Sequence, residues 1–305
     1  MDAFIVSHLM AVEPTGSATS EWLYWCLSQI DMTAHSDNVG YPSLRQSKVQ
    51  QLEIPLPPLE EQERIAAILN EQMAAVEQAR AAAEARLEAA KALPAAYLRA
   101  VFSSPEAGKW CRENVGNIST LVIDGPHVTP SYVPKGVPFL TVRNIVNRRI
   151  DLSDVSYVTP EDHAQFSRRG KAERGDILYT KDGTMGIPCV VDTDLDFSFF
   201  VSVALIKLVR DRAHPRFVAY ALESAAVLEQ VEQLGAGAGL KHMVLKSVRA
   251  LEIPLPSLAE QQRVATLLDG QMATVERARK AIEVELDAIN KLHAALLRRA
   301  FNGEL

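Results

Sequence analysis

The sequence predicts an α+β protein, in which a mixed α/β domain over 109–250 is combined with two long helices that pack on each other as a coiled coil. One observation is a segment carried twice. Leu52–Gln62 reads LEIPLPPLEEQ and Leu251–Gln261 reads LEIPLPSLAEQ, and a constant shift of 199 over Leu52–Phe102 gives 29 identities in 51 positions without a gap. Another is the run of apolar residues seven apart downstream of each copy. The last is a set of strand-like runs with dense turn signals between the copies. A spacing near 200 is too long for a solenoid repeat, so the chain reads as two copies of one module, a globular unit followed by a helical arm.

The 305-residue length fits about two domains. Apolar content of 48% and charged content of 23% are those of a folded protein, and no run approaches the roughly 18 apolar residues that cross a membrane. The apolar stretch near Met1 has no Lys or Arg before it and makes a poor signal peptide. Cys26, Cys111 and Cys189 are scattered, with no CxxC, and read as reduced thiols of a cytoplasmic protein. The net charge of −6 is uneven. From Cys111 to Ala250 there are 17 Lys and Arg against 16 Asp and Glu, so the acidity lies outside this segment, much of it in the arms.

Residues 1–51 read as the last third of a globular unit. Phe4–Ser7 (FIVS) aligns with Phe199–Ser202 (FFVS), and Ser20–Leu27 with Pro215–Leu222, both at an offset of 195. A missed upstream start, a truncated gene or a fragment would each explain a missing first two-thirds.

The first arm, 52–108, begins with Pro55, Pro57 and Pro58, which exclude regular structure until just after them. The second, 251–305, replaces Pro58 by Ser257, and Ser257-Leu-Ala-Glu260 fits a capping box. Each helix then runs about 44 residues, or ~66 Å. Leu268, Val275, Ile282, Ile289 and Leu296 are spaced by seven, matched by Leu69, Val76, Ala83, Ala90 and Tyr97. That spacing keeps one apolar seam facing a partner helix. Pro94 is expected to kink the end of the first arm.

In the domain between, Val137–Val142, Asp176–Thr180, Pro188–Val191 and Phe199–Leu208 read as strands. Arg216–Gln233 has helical spacing and ends before the Gly235–His242 loop.

Catalytic motifs are missing. There is no phosphate-binding GxxxxGK[ST], no HExxH and no Ser–His–Asp or Cys–His arrangement. Gly235, Gly237 and Gly239 follow a helix where a dinucleotide loop follows a strand. Asp192, Asp194 and Asp196 alternate like a calcium loop, but Phe197 and Val203 stand where glycine and glutamate are needed.

Two loops have the character of nucleic-acid readers. Asp124–Tyr132 with the following Phe139–Asn144 offers His127, Thr129, Tyr132, Arg143 and Asn144. Arg suits guanine O6/N7 and Asn suits adenine N6/N7. Lys181–Gly186 offers Lys181, Asp182 and Thr184 on a glycine-flanked loop, where Lys181 suits phosphate or guanine and Asp182 cytosine N4. Lys241 in the Gly-rich loop completes the DNA-binding candidates.

The doubled IPLPxLxEQ with its long helix, GPHVTPSY and PFLTVRN, GDILYTKDGTMG (Gly175–Gly186) and GAGLKH (Gly237–His242) together resemble the specificity subunit of type I restriction–modification enzymes. The resemblance implies two target-recognition domains, each reading half of a bipartite double-stranded DNA site. It also implies antiparallel helical arms that set the spacing and dock two methyltransferase subunits. Within it, 109–250 is the complete second recognition domain, and 1–51 a remnant of the first that lacks the two reading loops. The seam residues Leu69, Val76, Leu268, Val275, Ile282, Ile289 and Leu296 are assigned to the coiled coil and to partner docking. No cofactor or metal is expected in this subunit. S-adenosylmethionine, ATP and Mg belong, by the resemblance, to the methyltransferase and the restriction/translocase subunits. By the resemblance, members with one recognition domain can pair to read a symmetric site, and self-pairing is open to this chain. The alternative class is a coiled-coil scaffold that assembles partners without reading sequence.

Overall fold

A computed structural model describes residues 10–35, 44–234 and 242–305. Phe4–Ser7, the Gly235–Gly239 glycines and Lys241 lie outside the described residues. In chain order the helices are α1 (Ser20–Ser28), α2 (Gln46–Val49), α3 (Leu59–Phe102), α4 (Pro160–Phe166), α5 (Pro215–Leu222), α6 (Ala225–Leu234), α7 (Leu245–Ala250) and α8 (Leu258–Phe301). The strands are β1 (Cys111–Asn114), β2 (Ser119–Asp124), β3 (Val137–Leu140), β4 (Ile145–Val146), β5 (Arg149–Ile150), β6 (Ser156–Val158), β7 (Ile177–Thr180), β8 (Pro188–Val190), β9 (Ser198–Phe199), β10 (Val203–Leu208) and β11 (Glu252–Leu255). Contacts divide the chain into two units, 1–90 with 278–305, and 91–277.

In the first unit, Leu69 and Val76 of α3 share a buried cluster with Leu296, Leu297 and Ala300 of α8, and Ala83 and Ala90 share one with Ile282. As the number rises along one helix it falls along the other, so the two run antiparallel there. Arg86 and Glu285 join them at the surface through two guanidinium–carboxylate bonds of 3.1 and 2.8 Å. Trp22, Trp25 and Cys26 of α1 are buried in the same cluster, where burial pushes the Cys26 thiol up to about 11.

In the second unit, Leu98 of α3 lies in one buried cluster with Val264, Ala265 and Leu268 of α8. The α3 helix runs unbroken through Pro94. The α/β domain has a four-stranded antiparallel sheet in the order β2-β10-β7-β8 and a three-stranded sheet β6-β3-β9, in which β3 and β9 are parallel. A two-stranded β1-β11 sheet and the β4-β5 hairpin complete it. The hairpin turns on Asn147 and Arg148, both with positive φ (50° and 63°), as a tight two-residue turn requires.

Several boundaries differ from expectation. The Phe199–Leu208 run is two strands, because Val203 N–H bonds back to Phe200 O and makes a turn. The Arg216–Gln233 helix breaks at Glu223 and Ser224, whose amides bond three residues back to Tyr220 and Ala221. The capping box at Ser257 is half formed. Ser257 Oγ accepts from Glu260 N at 3.4 Å, but the Glu260 carboxylate turns instead to Arg263 at 2.7 and 2.8 Å.

The repeat is retained down to single hydrogen bonds. Gln62 is buried, donates to Ser17 O and Pro57 O, and accepts from Thr19 N. Gln261 is buried, donates to Arg212 O and Pro256 O, and accepts from His214 N. Each glutamine thus ties the start of an arm to the start of a domain helix. At further equivalent positions Trp22 packs at a tilt against Phe301 in the first unit, and Phe217 against Phe102 in the second.

Candidate nucleic-acid interface

The strand order brings the reading loops together. β2 and β7 both pair antiparallel with β10, Asp124 opposite Ala204 and Thr180 opposite Val203, so the carboxyl ends of β2 and β7 meet at the start of β10. The end of β3 joins them, because Phe200 N–H bonds Leu140 O at 2.8 Å. A Cβ on Gly125 would stand 1.8 Å from Phe199 O, so only glycine lets the loop after β2 lie against this backbone. Residues 125–132, 141–144 and 181–186 therefore leave the sheets at one end, as loop-borne sites on a rigid scaffold do.

Within this cluster the candidates divide. His127, Thr129, Tyr132, Arg143 and Thr184 are exposed. Arg143 makes no hydrogen bond or ion pair among the described residues and is free to meet a base edge. Tyr132 sets its ring edge-on to Phe139 at 6.1 Å, which orients it while leaving its surface open.

Asn144 and Lys181 are buried and Asp182 is half-buried. Asn144 Oδ1 accepts from Thr141 N at 2.9 Å, and its Nδ2 donates to Asp151 O and Asp154 O. Its side-chain amide is used within its own loop, with no edge left for adenine. Lys181 is 1% exposed, its Nζ 3.6 Å from both Asp124 Oδ2 and Asp182 Oδ2. An ammonium so enclosed is committed to two carboxylates of neighbouring loops. Asp182 is bound to His242 Nδ1, and the backbones of these two residues form a β-bridge. Lys181 O also accepts from Met243 N, so the segment after the Gly-rich loop is held to the same point. The calcium-like aspartates are surface ion pairs, Asp194 with Arg174 and Asp196 with Lys171.

One residue that sequence reasoning passed over enters the cluster. Arg169, in the turn Ser167–Arg169 after α4, reaches Asp124 Oδ1 at 3.7 Å, while His127 Nε2 lies 3.5 Å from Asp124 Oδ2. The run Arg168-Arg169-Gly170-Lys171 was its only signal, and nothing in sequence tied it to a residue more than forty positions away.

The seam residues are also more specialised than expected. Leu69, Val76, Leu268, Val275, Ile282 and Leu296 are buried and Ile289 is half-buried. They are used inside the chain, whereas Leu93, Leu267, Val284 and Leu292 of the arms are exposed.

The candidate loops thus gather at one end of the domain's sheets, in a chain that also carries two long helical arms. A model of the type I restriction modification DNA specificity domain matches residues 2–84 and 135–286, and the chain belongs to that family. It is similar to the type I restriction enzyme EcoBI specificity subunit of Escherichia coli, 24% identical over 302 residues, covering 90% of this chain and 63% of that one. The EcoKI specificity subunit of Escherichia coli strain K12 is 23% identical over 270 residues, covering 83% and 58%. The chain thus spans less than two thirds of the length of these curated relatives. Among solved structures, a chain from work on complex assembly and conformational transition of the type I R-M system matches with a TM-score of 0.74 at 24% identity, over 94% of this chain and 72% of that one. The HsdS subunit from Thermoanaerobacter tengcongensis matches with a TM-score of 0.58 at 24% identity, over 93% and 70%. These likenesses establish the fold. Among the described residues no helix is long and apolar enough to cross a membrane.

Proposed function

We propose that this chain is the non-catalytic, DNA-reading subunit of a type I restriction–modification assembly. In it the α/β domain reads one half of a split site, and the arms dock methyltransferase subunits through faces outside the seam. The observation that carries this reading is the convergence of exposed loop side chains at the carboxyl ends of β2, β3 and β7, in a chain of the DNA specificity family. Arg143, Thr184, Thr129, Tyr132 and His127 are the side chains open to base edges, while Lys181, Asp182 and Asn144 shape the loops that present them. Methyl transfer with S-adenosylmethionine, and ATP- and Mg-dependent cleavage, are assigned to partner subunits.

The test co-expresses the full chain with its neighbouring methyltransferase in a host free of DNA methylation and maps modified adenines by long-read sequencing. A split motif is the expected result. A palindromic one means two copies pair, and unlike halves mean that another polypeptide or residues 1–51 supply the second reader. Arg143→Ala is expected to relax the motif at one position, at a cost of about 1–3 kcal/mol of discrimination. Stable copurification without any modified motif would sink the reading and leave a scaffold that assembles partners without directing them.

A further inference from the structure

The turn Ser167–Arg169 and the two residues after it carry three cations in four positions, Arg168, Arg169 and Lys171. Their commitments differ. Lys171 is closed onto Asp196 at 2.6 Å. Arg168 is exposed and makes no hydrogen bond or ion pair among the described residues. Arg169 is 58% exposed and stands 3.7 Å from Asp124, whose side chain is only 6% exposed. Charge-assisted hydrogen bonds close to roughly 2.7–2.9 Å, as Arg174 does with Asp194, so Arg169 is held loosely. Asp124 already faces the buried Lys181 and the His127 imidazole. Lys181 is shared between Asp124 and Asp182, so what leaves Arg169 open to a second anion is its exposure and its single long contact.

The turn is also fixed in place. A Cβ on Gly170 would meet Leu121 Cδ2 at 2.7 Å and Ile123 Cδ1 at 2.8 Å, so the backbone is pressed onto β2. The same strand ends in Asp124 and leads into the loop that bears His127 and Thr129. The loose guanidinium is therefore carried by the scaffold that carries the reading loop, and both touch a single carboxylate.

We propose that the Arg168–Lys171 turn is a phosphate seat for the duplex backbone, with Arg168 and Arg169 as the contacting cations. Asp124 stands in for the phosphate in the free protein and holds Arg169 near the position it takes on DNA. The seat deepens the DNA-reading assignment and rests on it. Its role is to fix the register of the reading loops on the duplex, and it carries no sequence preference of its own.

The test uses the assembled complex of the full chain and its methyltransferase, with a labelled duplex carrying the mapped motif and one lacking it, titrated across salt concentration. Replacing both arginines, Arg168→Gln with Arg169→Gln, removes two phosphate contacts. The slope of log K against log salt is then expected to fall by about 1.8. Over a fourfold rise in salt, wild-type affinity should drop about tenfold more than that of the variant. Both duplexes should be affected alike and the methylated motif should stay the same. Arg169→Lys, which keeps the charge, should retain most of the slope. An unchanged slope overturns the seat, and so does a motif altered at one base pair, which would make an arginine a base reader. Weakened copurification with the methyltransferase at constant slope overturns it in favour of a protein contact. If the wild-type complex shows sequence selectivity and only these outcomes appear, the seat alone fails. If the wild type shows none, the DNA-reading assignment falls and the seat with it.

Discussion

Replacing Gln261 by leucine tests the structural logic of the repeated motif at one side chain. The amide is buried with all its principal bonds made: two donated, to Arg212 O at 3.0 Å and Pro256 O at 2.9 Å, and one accepted, from His214 N at 2.8 Å. Leucine fills a similar volume but leaves two carbonyls and one N–H without partners. At about 1 kcal/mol net per bond the loss is about 3 kcal/mol, and it is larger where water cannot reach the orphaned groups. Apolar burial of leucine offsets only part of this, since the site is shaped around polar atoms. Urea unfolding should show a lower midpoint with an unchanged m value. Hydrogen exchange should accelerate at the start of α5, where the His214 amide loses its acceptor. Gln261→Glu should be worse at neutral pH, because it sets a carboxylate against two carbonyl oxygens. Such a carboxyl has a folded pKa above its unfolded one, so its stability is fullest below the unfolded value and is lost as pH rises through the folded value. A loss under about 1 kcal/mol for Gln261→Leu, with unchanged exchange at His214, refutes the argument that this amide locks the arm to the domain.

Three further perturbations probe the second unit. Burial raises the pKa of Glu223, and the Arg148 guanidinium bonded to it opposes that rise. Arg148→Met should therefore cost about 1.5–3 kcal/mol at neutral pH by leaving a largely buried carboxylate without its partner. The cost should shrink as pH falls and Glu223 takes up a proton, because its raised folded pKa makes protonation favour the fold; thermal melts showing equal destabilisation at mildly acid and neutral pH would refute this. Tyr220 OH donates to Asp269 at 2.7 Å, so Tyr220→Phe should cost about 2 kcal/mol by chemical denaturation, and a neutral result would show that the bond contributes nothing. Asn144→Ala should cost about 1–2 kcal/mol through the lost cap while leaving the methylated motif unchanged; a motif altered at one adenine would restore Asn144 as a base reader.

The arms were legible because their information is periodic and local. Leu268, Val275, Ile282 and Leu296 announce a seam by spacing alone, and the proline-rich entry fixes where each helix begins. The short strands were less so. β1, β4, β5 and β6 have two to four residues each, too few for alternation to register, and β11 exists because Leu255 finds Cys111 across the domain. In the candidate loops, residue type gave no sign of which side chains would be buried. Arg143 and Lys181 look alike as basic residues on loops. The turn after β3 leaves the first in solvent, whereas the second follows β7 directly and falls between two aspartates. Asn144 matched an adenine reader by chemistry, yet the same amide chemistry closes a tight turn. Arg169 was invisible because its meaning depends on Asp124.

Where the two copies of the module agree and where they differ separates frame from function. Gln62 and Gln261 make the same three bonds, and Arg64 with Glu61 repeats Arg263 with Glu260. One step outward the chemistry changes while the geometry stays. Trp25 Nε1 donates to Asn70 Oδ1 at 3.0 Å, and at the equivalent positions Tyr220 OH donates to Asp269 Oδ1. Beside them Arg216, 3.8 Å from Asp269, occupies the position that Glu21 holds in the first copy. Transplanting the first copy's helix onto the second arm would thus set Glu21 against Asp269, a like-charge contact that the native pairing avoids. The second domain helix is matched to its arm by charge and the first by a neutral hydrogen bond, on a junction whose buried glutamine has not changed. A Glu21→Arg, Asn70→Asp pair should accordingly be tolerated together better than Asn70→Asp alone, and a double-mutant cycle with no favourable coupling would remove the basis for this matching.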